Sequence, residues 1–189
     1  RLAQAIKKNF DIPIIYYVSP QLWAWKEKRI DIIKKYVDSL VVLFPFEKKW
    51  YKERGVDVNY FGHPLSETYK SFLNSYKANK NQKPSIALLP GSRNSELKKH
   101  LPLYKKIIRL LLQKNKNLFF VLKFCDETNI NIEKDLGLTA NYAVETGESF
   151  AAFSNSDFAI VASGTATLEG AFTKTPMVVI YKTSWLSWF

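Results

Sequence analysis

Two short stretches of small and polar residues each follow an apolar run and precede an amphipathic one. In open α/β sheets, this is where ligands bind. The first stretch comprises Gly91, Ser92 and Arg93, just after an apolar run that includes Leu89. Glycine lets a ligand approach the backbone, serine offers a hydroxyl, and the planar guanidinium of arginine suits a phosphate. The stretch therefore predicts a phosphate-binding turn at the beginning of a helix.

The second stretch comprises Ser163, Gly164 and Thr165, again between an apolar run and a helical pattern. The free amides at the beginning of a helix attract phosphate oxygens. Glu169 follows Thr165 by four residues, so both side chains lie on the same face of that helix. A carboxylate there can accept hydrogen bonds from two vicinal hydroxyls, as on a ribose. The two stretches together predict a nucleotide site.

Each stretch also has a purely structural interpretation. A Pro-Gly turn often only reverses the chain, and serine or threonine before a helix is often only an N-cap. Two such stretches in the same part of the chain favour binding. Glu169 adds weight, because a carboxylate beside the apolar Leu168 and Ala171 needs a partner. His63, at a Gly-His-Pro break, either lines a cleft or has a structural role.

Other kinds of chemistry find little support. The single cysteine, Cys125, allows no intramolecular disulfide, and its place after an apolar strand indicates a small buried hydrophobe rather than a nucleophile. The two histidines, His63 and His100, have no cysteine or carboxylate at metal-ligand spacing, so no metal cofactor is predicted. The sequence has no Asp-x-Asp pair, no P-loop lysine and no Gly-x-Gly-x-x-Gly, which leaves ATP and nicotinamide chemistry unsupported.

The elements that must position these residues are predicted from the hydrophobic pattern. Apolar and β-branched runs predict strands at 14–18, 40–43, 58–61, 85–89, 118–123, 158–161 and 177–181. Amphipathic stretches between them predict helices at 26–36, 45–54, 96–114, 130–136, 150–154 and 165–172. This alternation is typical of an α/β protein with parallel sheets covered by helices.

Length and composition fit two α/β lobes. The 189 residues can bury a sizeable core, and 47% hydrophobic with 24% charged residues excludes a disordered chain. The lysine- and asparagine-rich loop at 75–84 and the break at 62–64 predict a boundary between lobes near 62–84. No apolar run approaches the roughly 18 residues that span a bilayer. The sequence starts at Arg1 and ends at Phe189, and both ends look cut, so a fragment of a longer protein is expected.

Positive charge is concentrated in the middle of the chain. Residues 63–123 carry 13 basic and 2 acidic groups, whereas residues 124–189 carry 3 basic and 8 acidic groups. A basic segment suits nucleic acid, anionic lipid or phosphorylated substrates, because all three are negatively charged and are attracted by a positive potential. A lysine-rich helix face in water is the alternative interpretation. The lysines of 98–116, with Trp185, Trp188 and Phe189, are candidates to meet anionic lipid.

Five segments resemble lipid-A-disaccharide synthases, in the same order along the chain. The most specific is Tyr17-Val18-Ser19-Pro20-Gln21-Leu22-Trp23-Ala24-Trp25, with Lys28 and Arg29 after it. The other four are Phe44-Pro45-Phe46-Glu47, Phe61-Gly62-His63-Pro64, Leu89-Pro90-Gly91-Ser92-Arg93 with Glu96, and Ser163-Gly164-Thr165-Ala166-Thr167-Leu168-Glu169 with 176–179.

The resemblance implies a GT-B glycosyltransferase of Gram-negative bacteria with two Rossmann-like lobes. Residues 1–64 would be the C-terminal end of the acceptor-binding lobe, and 65–189 a donor-binding lobe truncated at its C-terminus. The enzyme would join UDP-2,3-diacylglucosamine to 2,3-diacylglucosamine 1-phosphate without a metal, invert the anomeric carbon, and release UDP in lipid A biosynthesis. It would be cytoplasmic and peripheral to the anionic inner membrane, and a homodimer of the whole protein is compatible with it.

The resemblance also assigns site residues. It places Gly91, Ser92, Arg93, Ser163, Gly164, Thr165 and Glu169 around the UDP. His63 is a further candidate for substrate binding, from its position at the Gly-His-Pro break between the lobes. Arg93 would stabilise the leaving diphosphate. The family's acidic motif that would hold the general base has no counterpart here and is expected upstream of Arg1, so the fragment alone is predicted to be inactive.

Three alternatives stay open at this point. One is another UDP-sugar enzyme of the same fold, such as a 2-epimerase or a peptidoglycan-type transferase. Another is a basic nucleic-acid-binding module, although the aromatic residues fall mostly in apolar strands or in the segment 16–25, and no nucleic-acid partner is predicted. The third is a binding fragment without turnover.

Overall fold

The computed structural model describes residues 2–125 and 130–182 of the chain. The described chain divides into two compact units, with the boundary between Ser66 and Glu67. The α/β class predicted from the alternating pattern is confirmed, because both units contain parallel strands connected by helices. No helix in the described ranges is both long enough and apolar enough to cross a membrane.

The first unit contains a three-stranded parallel sheet in the order β1-β2-β3. Its elements, in chain order, are α1 (Leu2–Asn9), β1 (Ile15–Tyr17), a 3-10 turn (Glu27–Arg29), α2 (Ile30–Tyr36), β2 (Ser39–Val42), α3 (Pro45–Lys52) and β3 (Asn59–Tyr60). Helix α4 (Leu65–Ser75) begins at the end of this unit. The core of the unit is an apolar cluster formed by Leu22, Ile30, Ile33, Leu40, Val42 and Tyr51.

A buried carboxylate, Glu47, organises the loops of the first unit. It is 2% exposed and lies in the first turn of α3. One oxygen, Oε1, accepts from Ser19 Oγ at 2.9 Å and from Trp23 Nε1 at 3.3 Å. The other, Oε2, accepts from the amides of Leu43 and Phe44 at 3.1 and 2.9 Å. Since buried charge is costly unless it is hydrogen-bonded, these four donors explain how the carboxylate is tolerated.

The second unit is a five-stranded parallel sheet in the order β6-β5-β4-β7-β8. Its elements are β4 (Ser85–Leu89), α5 (Asn94–Lys114), β5 (Phe119–Lys123), α6 (Ile132–Leu136), β6 (Tyr142–Glu145), α7 (Ser149–Ser154), β7 (Phe158–Ala162), α8 (Thr165–Phe172) and β8 (Met177–Ile180). Strands β5 and β6 add to one side of β4, and strands β7 and β8 then add to its other side. The carboxyl ends of β4 and β7 therefore form the topological switch point where such sheets bind ligands.

The central strand β4 is buried along its whole length. Successive side chains of a strand point to opposite faces, so Ile86 and Leu88 pack into one core cluster with Tyr104 and Ile108 of α5. Ala87 and Leu89 pack into a second cluster, whose other buried members are Phe153, Ala159 and Val161. Apolar clusters on both faces of the sheet hold β4 in place. The position of the turn after β4 is therefore fixed by the packing of the strand.

Candidate functional site

A cavity of about 300 Å³ opens at the switch point of the second unit. It is lined by both of the stretches that the sequence singled out. Seven of the eight predicted site residues border it: Gly91, Ser92, Arg93, Ser163, Gly164, Thr165 and Glu169. The structure thus brings together two turns that lie about 70 residues apart in the chain.

The turn between β4 and α5 is built around the side chain of Glu96. Its Oε2 accepts from the amides of Ser92 and Arg93 at 3.2 and 3.4 Å, which caps the beginning of the helix. Gly91 has φ +119°, and a Cβ there would lie 2.8 Å from Oε2 of Glu96. Glycine is needed here both for its backbone angle and for the close approach of this carboxylate.

The Arg93 guanidinium lies at the cavity, where its Nη1 donates to Oε1 of Glu96 at 2.7 Å. Burial raises the pKa of Glu96, but the hydrogen bonds from the Arg93 side chain and from the backbone amides of Ser92 and Arg93 outweigh it and hold that pKa below its usual range. The Arg93 side chain is 77% exposed. An exposed ion pair of this kind contributes at most about 1 kcal/mol, so a phosphate can compete with Glu96 for the guanidinium.

The turn between β7 and α8 presents backbone to the cavity. Ser163 N–H donates to the Ile180 carbonyl at 2.9 Å, which ties the turn to the end of β8. Gly164 stands at the N-cap of α8, where it has no side chain to cap the first amides of the helix. A Cβ at Gly164 would meet nothing within 4 Å, so the space beside it is open to a ligand. The beginning of α8 therefore suits a phosphate.

Glu169 lines the cavity one turn into α8 and is half-buried. The pKa of Glu169 is raised, chiefly because burial disfavours the charged carboxylate. A hydrogen bond with Ser149 and the charge of Lys123 lower this pKa, whereas the charge of Glu148 raises it further. A carboxylate held partly out of water forms strong hydrogen bonds with ligand hydroxyls, because it competes with less solvent.

Several lining residues were not predicted to belong to the site. Lys123, Phe124 and Cys125 come from the end of β5 and the residues after it, and Ser149 comes from the beginning of α7. Because β5 pairs with β4, the strand order would have indicated residues 123–125, but that order is not visible in a single sequence. The expectation that Cys125 is buried was wrong, because it lies beyond the end of β5 and is exposed.

The eighth predicted residue, His63, is not among those that line this cavity. It lies in the first unit, where its Nδ1 accepts from the amide of Leu65 at 3.1 Å. Its carbonyl accepts from Ser66 Oγ at 2.8 Å, and its ring lies 5.6 Å from that of Phe44. These contacts place His63 at the beginning of α4, where it stabilises the turn. Within the described part of the chain, no three His, Cys, Asp or Glu side chains cluster to hold a metal.

Comparisons with known proteins give a consistent result. The family model for lipid-A-disaccharide synthetase matches residues 1–189. The chain is 42% identical over 195 residues to lipid-A-disaccharide synthase 1 of Legionella pneumophila strain Philadelphia 1, covering 100% of this chain and 51% of the relative. It is 37% identical to the lipid-A-disaccharide synthase of Syntrophus aciditrophicus, covering 99% of this chain and 51% of the relative. The chain therefore spans about half the length of the curated relatives it matches.

A solved structure, the glycotransferase of kitacinnamycin, resembles the chain with a TM-score of 0.54 at 14% identity. The match covers 96% of this chain and 55% of that protein. At this identity the likeness concerns the fold alone, and it agrees with the α/β class that the sequence predicted.

Proposed function

Because the chain belongs to the lipid-A-disaccharide synthetase family, we propose that its second unit binds the UDP part of UDP-2,3-diacylglucosamine. The whole protein would transfer the sugar to 2,3-diacylglucosamine 1-phosphate in lipid A biosynthesis. The observation that carries this proposal is the cavity at the switch point, where two phosphate-binding turns and the Glu169 carboxylate meet. In this cavity, the positively charged groups would contact the diphosphate and the carboxylate would contact the ribose.

In this proposal the diphosphate lies between Arg93 and the beginning of α8. Both present positive potential to the cavity, and Gly164 leaves space for the phosphate oxygens. Glu169 accepts hydrogen bonds from the two vicinal hydroxyls of the ribose. This division is supported by the position of Glu169, which lies one turn along the helix whose first residues line the cavity.

The transfer step needs stabilisation of the departing diphosphate. The acceptor's 6-hydroxyl forms the new bond to the anomeric carbon from the side opposite the diphosphate, its proton passes to a general base, and the bond between that carbon and the diphosphate oxygen breaks. Negative charge builds on UDP as it leaves. Arg93 and the helix N-termini are suited to stabilise that charge in place of a metal, because the guanidinium and the free amides present hydrogen-bond donors and positive potential to the cavity.

Arg93→Ala is expected to weaken UDP binding about thirtyfold, since a hydrogen bond to a charged group contributes roughly 1.5–3 kcal/mol. Lys98→Ala is the matched control, because Lys98 is an exposed cation on the same helix and does not line the cavity. Calorimetric titration of UDP into both variants measures the difference, with less than about a twofold change expected for Lys98→Ala. Equal losses in the two variants would show that the helix's general charge, not Arg93, attracts the nucleotide.

We also propose that α5 faces an anionic membrane surface, as diacylated substrates require. A groove of about 680 Å³ along this helix has an apolar floor that includes Ile108 and Leu112. Its cations are Lys105, Lys106, Arg109 and Lys116. Such a combination suits the boundary between lipid headgroups and acyl chains. The aromatic residues Trp185, Trp188 and Phe189 lie outside the described residues.

Sedimentation with vesicles tests the membrane proposal. Binding to anionic vesicles is expected at low salt and is expected to fall at high salt, because surface charge is screened. The double variant Lys106→Glu, Arg109→Glu should lose this binding, whereas Lys48→Glu, an exposed lysine on α3 in the first unit, should retain it. Absence of binding at low salt, or equal binding by both variants, would rule out this face.

A further inference from the structure

Helix α5 carries three polar side chains at intervals of four residues: Glu96, His100 and Tyr104. Residues at this spacing lie on one face of a helix. Each of the three contacts the backbone of the segment 89–93, which contains the turn at the cavity. The sequence predicted only an amphipathic helix at 96–114, whereas the structure places a polar stripe against the end of β4.

The two outer members of the stripe fix the ends of the segment. Glu96 accepts from the amides of Ser92 and Arg93. The Tyr104 hydroxyl is fully buried and shares its proton between the carbonyls of Leu89 and Ile160, each 3.0 Å away. Burial raises the pKa of Tyr104, so this hydroxyl remains a donor.

His100 is the middle member and is 3% exposed. Its Nδ1 lies 2.6 Å from the carbonyl of Pro90, and its Nε2 accepts from the amide of Lys182 at 3.3 Å. A carbonyl can only accept, so Nδ1 carries the proton, and Nε2, which accepts, carries none. The neutral ring therefore uses both nitrogens to connect the turn after β4 with the segment after β8.

We propose that His100 is a positioning residue for the phosphate-binding turn, an assignment that rests on the proposed binding of UDP. Its partner, the Pro90 carbonyl, directly precedes Gly91, whose φ of +119° sets the direction of the turn. With His100 on one side of Gly91 and Glu96 on the other, the turn is held in one conformation before nucleotide arrives. A ligand then binds without the cost of ordering that loop.

Titration of UDP into three variants tests this role. His100→Leu removes both hydrogen bonds and is expected to raise the Kd for UDP about tenfold. His100→Asn keeps an N–H near the position of Nδ1, so its Kd should stay within about threefold of the wild-type value. Ile86→Val is the control for stability, because Ile86 is buried near the beginning of β4, at the other end of the strand from the turn, and packs in the same core cluster. It should lower the unfolding temperature without changing the Kd.

Two results would overturn the proposal. One is wild-type affinity in His100→Leu. The other is a loss of affinity in all three variants that follows their loss of stability, since a merely structural histidine would behave in that way. Amide hydrogen exchange at Gly91, Ser92 and Arg93 without nucleotide separates this proposal from the nucleotide assignment. Faster exchange in His100→Leu, with near wild-type exchange in His100→Asn, supports the positioning role even if the wild-type chain binds no UDP. Unchanged exchange in both contradicts it.

Discussion

Glu169→Ala is expected to weaken UDP binding by about a hundredfold or more, because the carboxylate would accept two hydrogen bonds from the ribose, each contributing roughly 1.5–3 kcal/mol. Glu169 is half-buried at the cavity, where lost hydrogen bonds are poorly replaced by water. The matched control is Glu148→Ala, which removes an exposed neighbouring carboxylate at the beginning of α7. Calorimetric titration should give that control a Kd close to the wild-type value. Similar losses in both variants would contradict the assignment of Glu169 to the ribose.

The same carboxylate should reduce the stability of the ligand-free protein near neutral pH. Its pKa is raised above the ordinary value of 4.5, chiefly by burial, so the folded protein holds this proton more tightly than the unfolded chain does. Below that ordinary value both states are protonated and Glu169 makes no difference. As pH rises through the raised pKa, the folded state has to ionise a half-buried group, and the free energy of unfolding falls.

Urea unfolding of Glu169→Gln at two pH values measures this cost. The variant should be more stable than the wild-type protein at pH 7, and the two should be nearly equally stable near pH 4, below the ordinary pKa. If the variant is more stable at pH 7 but binds UDP more weakly, the carboxylate is retained for binding rather than for stability. Reduced stability at pH 7 would instead make Glu169 a structural residue.

The site was predictable where its signals are local. Gly91, Ser92 and Arg93 can be recognised in sequence because an apolar strand precedes them and a helix follows, and the predicted strand at 85–89 matches β4. The helix predicted at 165–172 likewise matches α8. Proximity of the two turns was expected only from the general rule for parallel sheets. It depends on β4 and β7 being neighbours, which is a property of the strand order.

Three elements were missed for different physical reasons. Strand β6 lies at the edge of the sheet and leaves Ala143 and Val144 exposed, so its sequence lacks both a buried run and a clear alternation. Helix α4 has apolar residues at Leu65, Tyr69, Phe72 and Leu73, the spacing of a helix face, which was a usable signal. Helix α1, Leu2–Asn9, also has apolar residues at helix-face spacing, Leu2, Ala3 and Ile6, but it is only eight residues long and buries none of them.

The roles of Glu96, His100 and Glu47 could not be predicted because their partners are mostly backbone groups or distant side chains. Glu47 illustrates this. Two of its donors, Ser19 and Trp23, belong to the most specific motif of the family resemblance, and the motif that contains Glu47 lies more than 20 residues further along. The hydrogen bonds explain why both motifs occur together: one segment supplies the donors and the other the buried acceptor. At Ser19, Trp23 and Glu47, the family motifs therefore support the fold of the first unit.

Glu47→Ala should therefore destabilise the first unit by about 3–5 kcal/mol, because losing the acceptor leaves several donors unsatisfied, at roughly 1–3 kcal/mol each where water cannot replace it. Four donors, including the Ser19 hydroxyl and the Trp23 indole N–H, would lose their acceptor. Glu53→Ala is the matched control, since Glu53 is an exposed carboxylate at the end of the same helix, α3. Its expected cost is below about 1 kcal/mol, as for other exposed ion pairs.

Urea unfolding followed by tryptophan fluorescence measures both variants, and Glu47→Gln refines the result. Glutamine keeps one acceptor oxygen but turns an N–H2 group toward donors, so an intermediate loss of stability is expected. The order of stability should be Glu53→Ala, then Glu47→Gln, then Glu47→Ala. If Glu47→Ala costs no more than Glu53→Ala, the network does not hold the first unit together. The pairing of Ser19 and Trp23 with Glu47 would then need an explanation in substrate binding instead.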